Sequence, residues 1–377
     1  MVDFKLTDEQ RQYRQLALDF AKGEIAPRAG DCDRSGEFPE DIYAKIWEVG
    51  LLSEQVPDSE GGLGLTVFDS CLIAEETSFA CAGVSLALVG NNMAAAPLIV
   101  AGSAEQRREY LGALTASPLF ASFCLTDHYA VNEPPKLAMT VRNDGGGEFV
   151  LSGQERWVTN AGNAKWFVVF AGGSAGISAF VVPGDAEGVV VGPREQSVGV
   201  RAADLALVSF NDVRVSGCQL VGEEGGGADL LGGALSRIHP LVASVAVGIA
   251  RAAMTNAIVY AKERTTFGTA ISNHQAVGFM VADMAKEIEA ARLMLLQAAW
   301  LADRGLDAQR QGVMARAFAV DMAMKVAVDA VQVYGGYGYS REYPVEKLMR
   351  DAKVLQVFGG TSQKARVRVA ADLVGIN

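Results

Sequence analysis

The sequence predicts a multi-domain α+β protein with an N-terminal helical domain, a middle antiparallel β domain and a C-terminal four-helix bundle. Three observations lead to this fold class. Apolar residues recur at helical spacing in the first third, at a spacing near two between Pro118 and Gly227, and at helical spacing again after Gly233. Half of the 377 residues are hydrophobic, so the chain can bury more than one core. We place the domains at 1–118, 119–230 and 231–377.

The N-terminal third carries helix start signals and one long uncharged segment. Thr7–Gln10 and Ser103–Gln106 each spell a capping box, in which two side chains satisfy the first free amides of a helix. Residues 77–104 carry no charge and are long enough to span a bilayer. They include Gly90-Asn91-Asn92, whose polar groups would lack partners in hydrocarbon. We therefore predict two buried helices with a break at these three residues.

Short apolar runs separated by turn residues follow Pro118. Each run ends at Gly, Pro or Asn-Asp, which is typical of antiparallel strands joined by tight turns. The clearest runs are 148–151, 165–170, 177–182 and 205–210. After Gly233 the pattern predicts long helices with short links, which is typical of a helix bundle. These helices are expected near 235–263, 273–304, 308–334 and 362–374.

Composition and charge exclude several classes of protein. The 33 basic and 44 acidic residues give a net charge of −11, which nucleic acids and membrane surfaces would repel. We therefore expect no nucleic-acid partner and no membrane partner. Five cysteines without a CxxC pair indicate reduced thiols, and the N-terminus lacks the apolar core of a signal peptide, so a cytoplasmic location is expected. The three histidines are too far apart for a zinc motif, so no metal site is expected.

Two glycine-rich motifs are typical of other enzymes but occur in the wrong context. Gly172–Gly176 matches G-x-S-x-G, which hydrolases place between a strand and a helix. Strand-like runs flank it on both sides here, so we interpret it as a hairpin. Gly335-Gly336-Tyr337-Gly338 follows a predicted helix rather than a strand, so it is not a dinucleotide-binding fingerprint. Rossmann and P-loop enzymes are therefore disfavoured.

Several other short motifs follow one another along the chain. They are Phe38-Pro39-Glu40, Gly61-Gly62-Leu63-Gly64-Leu65, Cys124-Leu125-Thr126, GQERWVTN at 153–160, FNDVRV at 210–215, ERTTFG at 263–268 and the run QVYGG…GGTS at 332–362. In this order the motifs resemble the acyl-CoA dehydrogenase family of flavoproteins over nearly the whole chain. The resemblance implies a helical domain, a β domain and a C-terminal bundle, an FAD cofactor, and assembly as a homotetramer or homodimer.

The same resemblance implies which residues bind FAD. A flavin needs a flat apolar wall for its ring and cations or backbone amides for its pyrophosphate. In the family, a Trp and a Thr lie against the ring, and an Arg and a Phe reach the FAD of a neighbouring subunit. The positions that match the family's FAD-binding residues are Thr126, Trp157, Thr159, Arg264, Phe267, His274, Gln275, Gln332, Gly335, Gly336, Thr361 and Gln363.

The catalytic base of the family has no counterpart at either of its usual positions. Family members remove the α-proton of an acyl thioester with a carboxylate, which most carry in a Y-E-G-T motif and some on the first bundle helix. The matching residues here are Gly359 and Ile238. Glycine has no side chain to accept a proton, but its backbone N–H can still polarise a substrate carbonyl. Among weak replacement bases we rank Asp127 first, because it directly follows Thr126.

The predicted substrate-binding positions also differ from the family pattern. The Asp and Arg that hold the carrier arm are here Ser236 and His239, and the E-P-G-A-G-S-D loop is replaced by residues 127–133, which include Asn132. Loss of a charged contact would weaken CoA binding by about 1–3 kcal/mol. We therefore expect an acyl thioester carried by CoA or by an acyl carrier protein, with a non-thioester substrate as a further alternative.

Three functions stay open at the level of sequence. The leading hypothesis is an FAD-dependent oxidoreductase that acts on an acyl thioester with non-standard acid–base chemistry. The second is a flavin-dependent monooxygenase on the same fold, which needs no α-proton base. The third is a non-catalytic FAD-binding or assembly subunit. Gly359 is compatible with all three, and the electron acceptor stays unknown.

Overall fold

The structure, a computed structural model, describes residues 5–125, 137 and 139–375. The helices are α1 (Asp8–Phe20), α2 (Ala26–Ser35), α3 (Glu40–Glu48), α4 (Val67–Ala80), α5 (Ala82–Ala101), α6 (Ala104–Gln106), α7 (Gly112–Ala116), α8 (Gly227–Glu263), α9 (Gln275–Asp303), α10 (Gln309–Tyr334), α11 (Val345–Leu355) and α12 (Ser362–Val374). The strands are β1 (Phe120–Cys124), β2 (Thr140–Gly145), β3 (Glu148–Thr159), β4 (Ala164–Gly173), β5 (Gly176–Pro183), β6 (Val189–Arg194), β7 (Leu205–Ser216), β8 (Leu220–Val221), β9 (Thr265–Thr266) and β10 (Thr269–Ala270). The predicted order of helical, β and helical regions is confirmed.

Both predicted capping boxes form. Thr7 Oγ1 accepts a hydrogen bond from the Gln10 amide at 3.1 Å, and Gln10 Oε1 accepts one from the Thr7 amide at 3.0 Å. Ser103 and Gln106 repeat the arrangement at the start of α6. Single π-helical turns continue the helices at Ala21–Ile25 and Arg107–Leu111, so each start signal opens a longer helical segment than its first element.

The long uncharged segment is helical and buried, but it is not interrupted where we predicted. α5 runs continuously through Gly90-Asn91-Asn92, so the predicted break there is wrong, and the chain turns instead at Cys81 between α4 and α5. Both α5 and α8 are long and apolar enough to cross a membrane, yet 83% and 67% of their most apolar windows are buried inside the protein. Their apolar surface is therefore used for the core.

The polar residues of α5 attach the helix to the β domain. Asn91 Nδ2 donates to the carbonyl oxygen of Leu119 at 3.0 Å, and Asn91 Oδ1 accepts from the amide of Ala121 at 2.9 Å. An added Cβ at Gly90 would lie 2.7 Å from Asn160 Nδ2, so glycine permits this close approach. Because these buried groups find partners across the domain contact, they do not need to end the helix.

The middle domain is one mixed sheet with the strand order β6-β7-β3-β2-β4-β5-β8, and β1 pairs with β4. Most pairs are antiparallel as predicted, but β1 and β4 run parallel, as do β2 and β4 at their single contact. Gly173 lies opposite Gly176 in the β4–β5 ladder, which confirms that the G-x-S-x-G motif is a hairpin. The sheet packs Trp166 and Phe170 with α5 residues on one face and Phe167 and Phe180 on the other.

The four predicted C-terminal helices form, with one large difference at a boundary. α8 begins at Gly227, eight residues before the predicted start at 235. The glycines in this stretch are poor helix formers, but they allow close packing: added Cβ atoms would lie 2.6 Å from the Ile177 oxygen at Gly227 and 2.7 Å from Gln309 Nε2 at Gly232. Leu230 is buried in the same contact. Tertiary packing therefore overrides the weak local propensity.

A buried carboxyl group lies beside α4 and α5 in the first helical region. Glu54 is 3% exposed, and its Oε1 accepts a hydrogen bond from Asn92 Nδ2 at 2.8 Å. Burial raises the pKa of the Glu54 carboxyl from 4.5 to about 7. The folded protein therefore holds a proton on Glu54 at a pH where the unfolded chain has lost it.

Glu54→Gln is expected to change how stability depends on pH. A raised folded-state pKa stabilises the protein below the unfolded pKa, and this stabilisation is lost as pH rises from about 4.5 to about 7. Relative to the wild type, the variant should gain about 2–3 kcal/mol between the two ends of this window. Urea unfolding of both proteins at several pH values measures the difference, with exposed Glu48→Gln as the control. Parallel stability curves for wild type and Glu54→Gln would contradict the account.

Candidate cofactor and substrate site

The Arg264–His274 segment forms a small hairpin after α8. Thr265–Thr266 pairs with Thr269–Ala270 through a turn in which Phe267 and Gly268 both have positive φ, +52° and +80°. Two consecutive positive φ values are typical of a type I′ turn, in which a residue such as Phe is unfavourable. The Phe267 side chain is 98% exposed, and the one ring contact that the described residues give it is an edge contact with His274, at 6.2 Å between ring centres. His274 Nε2 lies 2.9 Å from Thr266 Oγ1 and holds the hairpin against the start of α9.

Two glycines, Gly335 and Gly336, follow the end of α10 and have open space beside their backbone. Gly335 has φ +59° and ψ −135°, a conformation restricted to glycine. Added Cβ atoms at Gly335 and Gly336 would meet nothing within 4 Å. The next residue, Tyr337, places its ring 5.7 Å from the guanidinium carbon of Arg264. The glycines therefore bring exposed backbone next to a cation.

The hairpin and the glycine turn border one cavity of about 500 Å³. Its lining includes Arg264 and Thr266 from the first segment and Gly335, Gly336 and Tyr337 from the second. A guanidinium beside open glycine backbone can bind the oxygens of a phosphate group. The donor set and the space therefore fit the diphosphate part of a dinucleotide, as the resemblance predicts for these residues.

Trp157 and Thr159 lie at the end of β3 in the sheet. The β3–β7 register shifts between Glu155 and Val158, and within this bulge Trp157 has φ +62°. The bulge leaves the Trp157 side chain 51% exposed, whereas Thr159 is buried. The guanidinium carbon of Arg156 lies 4.9 Å from the centre of the Trp157 ring. A strained backbone that exposes a flat aromatic ring favours a binding role.

The loop before α12 contains the position of the missing base. Gly359 and Gly360 have φ values of +62° and +98°. Arg316 of α10 lies against this loop and is only 6% exposed. Its Nη1 donates hydrogen bonds to the carbonyl oxygens of Phe358, at 2.9 Å, and Gly359, at 2.7 Å. An added Cβ at Gly359 would lie 3.2 Å from the same nitrogen. The sequence analysis did not identify Arg316, although a charged residue within the buried stripe of α10 was a visible signal.

The predicted substrate residues Ser236 and His239 and the alternative base position Ile238 all lie on α8. Ile238 is buried in the core, and Ser236 Oγ donates to the Gly232 carbonyl oxygen at 3.0 Å. His239 is also buried, and an added Cβ at Gly312 of α10 would lie 3.2 Å from its Cβ. Burial, with the positive charges of Arg316 and Arg368, lowers the pKa of His239 well below its usual value. His239 is therefore neutral near pH 7.

The remaining predicted residues occupy helix ends or fall outside the described ranges. Thr361 caps α12 by accepting from the Lys364 amide at 3.2 Å. Three exposed glutamines lie in the end turns of helices: Gln275 in the first turn of α9, Gln332 in the last turn of α10 and Gln363 in the first turn of α12. Thr126, Asp127 and Asn132 lie outside the described residues, so their roles stay predictions.

Comparison with known families and sequences agrees with the three-part division. Residues 7–117, 122–213 and 225–374 match the acyl-CoA dehydrogenase N-terminal, middle and C-terminal domains. Among curated proteins, the chain is 37% identical over 377 residues to "Probable acyl-CoA dehydrogenase FadE25" of Mycobacterium tuberculosis. The aligned region covers 98% of this chain and 97% of that relative.

Solved structures with the same fold include dehydrogenases and related oxidases. Butyryl-CoA dehydrogenase from Megasphaera elsdenii matches with a TM-score of 0.92 and 32% identity, over 99% of this chain and all of its own. The prolyl acyl carrier protein oxidase AnaB matches at 0.91 and 25%, over 98% of this chain and all of its own. The FAD complex of PigA also matches at 0.91 and 25%, over the full length of both chains. The chain therefore belongs to the acyl-CoA dehydrogenase family, as its motif order predicted.

Proposed function

We propose that this protein binds FAD and oxidises an acyl thioester, carried by CoA or by an acyl carrier protein, without a side-chain base at the two family positions. The observation that best supports this proposal is that a site compatible with FAD occurs together with Gly359 in an exposed loop of positive φ. Related structures support both carriers, because one is a butyryl-CoA dehydrogenase and another is a prolyl acyl carrier protein oxidase. The five free thiols, four of them buried, fit a reducing cytoplasm.

The FAD would be held by two separate groups of residues. Trp157 and Thr159 would face the flavin ring, while Arg264 and the glycine turn would bind the diphosphate. Trp157 does not line the Arg264 cavity in the described part of the chain. Two copies of the chain would therefore complete each other's cofactor site, with exposed Phe267 reaching the partner. This arrangement supports a homodimer or homotetramer.

An apolar groove supports such an assembly. It measures about 620 Å³ and lies between α9, α10 and α12. Met294, Met314, Phe318 and Leu373 line it, and three of these side chains are more than a third exposed. A second copy of the chain would remove this apolar surface from water.

Substrate activation would depend on backbone rather than on a carboxylate. When bound, FAD supplies an acceptor for the hydride that leaves the substrate. The Gly359 N–H would donate a hydrogen bond to the thioester carbonyl and make the α-proton more acidic, and solvent water at the exposed loop would accept that proton. Ser236 and neutral His239 offer less charge to a carrier arm than the family's Asp and Arg. CoA would therefore bind more weakly than in the family, or the acyl group would be carried by a carrier protein instead of free CoA.

Anaerobic mixing with a panel of acyl-CoAs and acyl carrier proteins tests the proposal. The purified protein should show a flavin spectrum, and at least one thioester should bleach it without oxygen. Hydroxylated product and rapid reoxidation in air would instead identify a monooxygenase. A fully FAD-loaded protein that no thioester bleaches would contradict oxidation and favour a non-catalytic subunit.

Gly359→Glu is expected to raise the rate of flavin bleaching by simple acyl-CoAs at least tenfold. A positioned general base contributes about 10²–10⁴-fold, part of which is lost to the positive φ and to crowding against Arg316. Stopped-flow absorbance measures the rate, and Gly359→Gln is the matched control with no basic carboxylate. Equal rates for the Glu and Gln variants would show that the missing carboxylate is not what limits the reaction.

A further inference from the structure

One buried arginine contacts the loop where the base is missing. Arg316 lies four residues after Gly312 on α10, so the two share a helix face. That face packs against His239 of α8 at Gly312 and against the Phe358–Gly359 backbone at Arg316. Burying a guanidinium costs several kcal/mol unless its bonds are well made. The two hydrogen bonds to the Phe358 and Gly359 carbonyl oxygens therefore help to offset the cost of burying Arg316.

The contact fixes one peptide plane in particular. The carbonyl of Phe358 and the N–H of Gly359 belong to the same peptide unit, and the described chain has no cis peptide bonds. In a trans peptide the two groups point in opposite directions. When Arg316 holds the Phe358 oxygen at 2.9 Å, the Gly359 N–H must point away from Arg316. Within the described residues that N–H donates to no protein acceptor, and Gly359 is exposed.

The contact also changes how strong a donor the Gly359 N–H is. A charged donor on the carbonyl oxygen draws electron density from the peptide, and hydrogen bonds in such a chain strengthen one another. Two adjacent positive-φ glycines would otherwise leave this loop with wide backbone freedom. Arg316 removes that freedom and polarises the same peptide.

We propose that Arg316 is a positioning residue that orients and polarises the Phe358–Gly359 peptide, so that its N–H binds the thioester carbonyl and makes the α-proton acidic enough for solvent water to accept it at the exposed loop. This inference rests on the proposed function. Arg316 itself does not touch the substrate. It acts through the Phe358 carbonyl, and the planar fork of arginine lets it bond the Gly359 carbonyl at the same time.

The test compares Arg316→Met, Arg316→Lys and a matched control in the FAD-loaded protein. Arg310→Met is the control, because Arg310 lies on the same helix and pairs with Asp372 of α12 in an exposed ion pair. The probes are butyryl-CoA and butyryl carrier protein labelled with ¹³C at the carbonyl. Infrared difference spectra give the carbonyl stretch of the bound thioester, stopped-flow bleaching gives the rate, and absorbance gives the FAD content.

In the wild type the bound carbonyl should shift to lower frequency than the free thioester. Arg316→Met should lose at least half of that shift and bleach at least tenfold more slowly, while its FAD content matches Arg310→Met. Arg316→Lys, which keeps one charged donor, should fall between them. A wild-type shift that both Arg316 variants retain, with unchanged rates, would overturn the role of Arg316. If Arg316→Met does not fold, an unchanged Arg316→Lys overturns it alone.

The same experiment separates this inference from the function beneath it. A wild-type protein whose flavin either probe bleaches without any carbonyl shift would contradict activation by the Gly359 N–H and overturn the role of Arg316, while the proposed oxidation of a thioester would stand. A shift that is present in the wild type and lost in the Arg316 variants supports both.

Discussion

Arg264→Glu is expected to weaken FAD binding more than about 100-fold. Arg264 lies beside the open glycine turn, in the cavity that fits a diphosphate. A charge-assisted hydrogen bond contributes about 1.5–3 kcal/mol, and a carboxylate in the same place adds repulsion of the phosphates. Dialysis followed by the ratio of flavin to protein absorbance measures the retained cofactor, and fluorescence titration gives the dissociation constant.

Arg304→Glu is the matched control for this prediction. Arg304 also caps a long helix, and its guanidinium carbon also lies over an aromatic ring, 4.4 Å from the centre of Trp300. It does not line the Arg264 cavity. FAD content should stay at the wild-type level in this variant. Equal loss of FAD in both variants, or in neither, would remove Arg264 from the cofactor site.

Gly62→Ala is expected to destabilise the fold by at least about 3 kcal/mol, at the upper end of the cost of overpacking. An added Cβ at Gly62 would lie 2.0 Å from the carbonyl oxygen of Val56, which is backbone and cannot rotate away. That oxygen also accepts a hydrogen bond from the Gly64 amide at 2.8 Å. The next residue, Leu65, donates its amide to the Glu54 oxygen, so the clash would also disturb the buried Glu54 segment.

Urea unfolding followed by circular dichroism measures this effect, with Gly278→Ala as the control. An added Cβ at Gly278 in α9 meets nothing within 4 Å, and alanine is favoured over glycine inside a helix by about 1 kcal/mol. The control should therefore be as stable as the wild type or slightly more stable. A Gly62→Ala protein with an unchanged unfolding midpoint would show that the loop can move away from Val56.

Features set by short stretches of chain could be predicted from the sequence. The capping boxes and the Gly173–Gly176 hairpin depend on residues a few positions apart, and all of them form. α11, however, was overlooked, although Val345, Leu348, Ala352 and Leu355 recur at helical spacing and are buried. The helical spacing of these apolar residues is a local signal, so the sequence is sufficient to predict this helix.

Features set by distant contacts could not be predicted in the same way. The continuity of α5 depends on Asn91 bonding to Leu119 and Ala121, which only the folded chain brings near. The early start of α8 depends on Gly227 and Gly232 packing against other elements. A local pattern assigns polar and glycine residues to breaks because it contains no information about their partners.

In the candidate site, too, some residues could be identified from the sequence and others only from the folded structure. Family resemblance assigned Arg264, Gly335 and Gly336 to one ligand, and the fold brings them around one cavity. Arg316 was not found, because its role depends on a loop more than forty residues away in sequence that returns to α10. A charge in a buried helical stripe is a signal that something must bond it, but the partner is known only from the fold.

An anaerobic titration tests the central claim most directly: this fold oxidises an acyl thioester with bound FAD although neither usual base position holds a carboxylate. The account predicts that one equivalent of a suitable acyl-CoA or acyl carrier protein bleaches one equivalent of flavin. Mass spectrometry should then find the acyl group two hydrogens lighter. A protein with full FAD content that leaves every saturated thioester on both carriers unchanged would contradict the account.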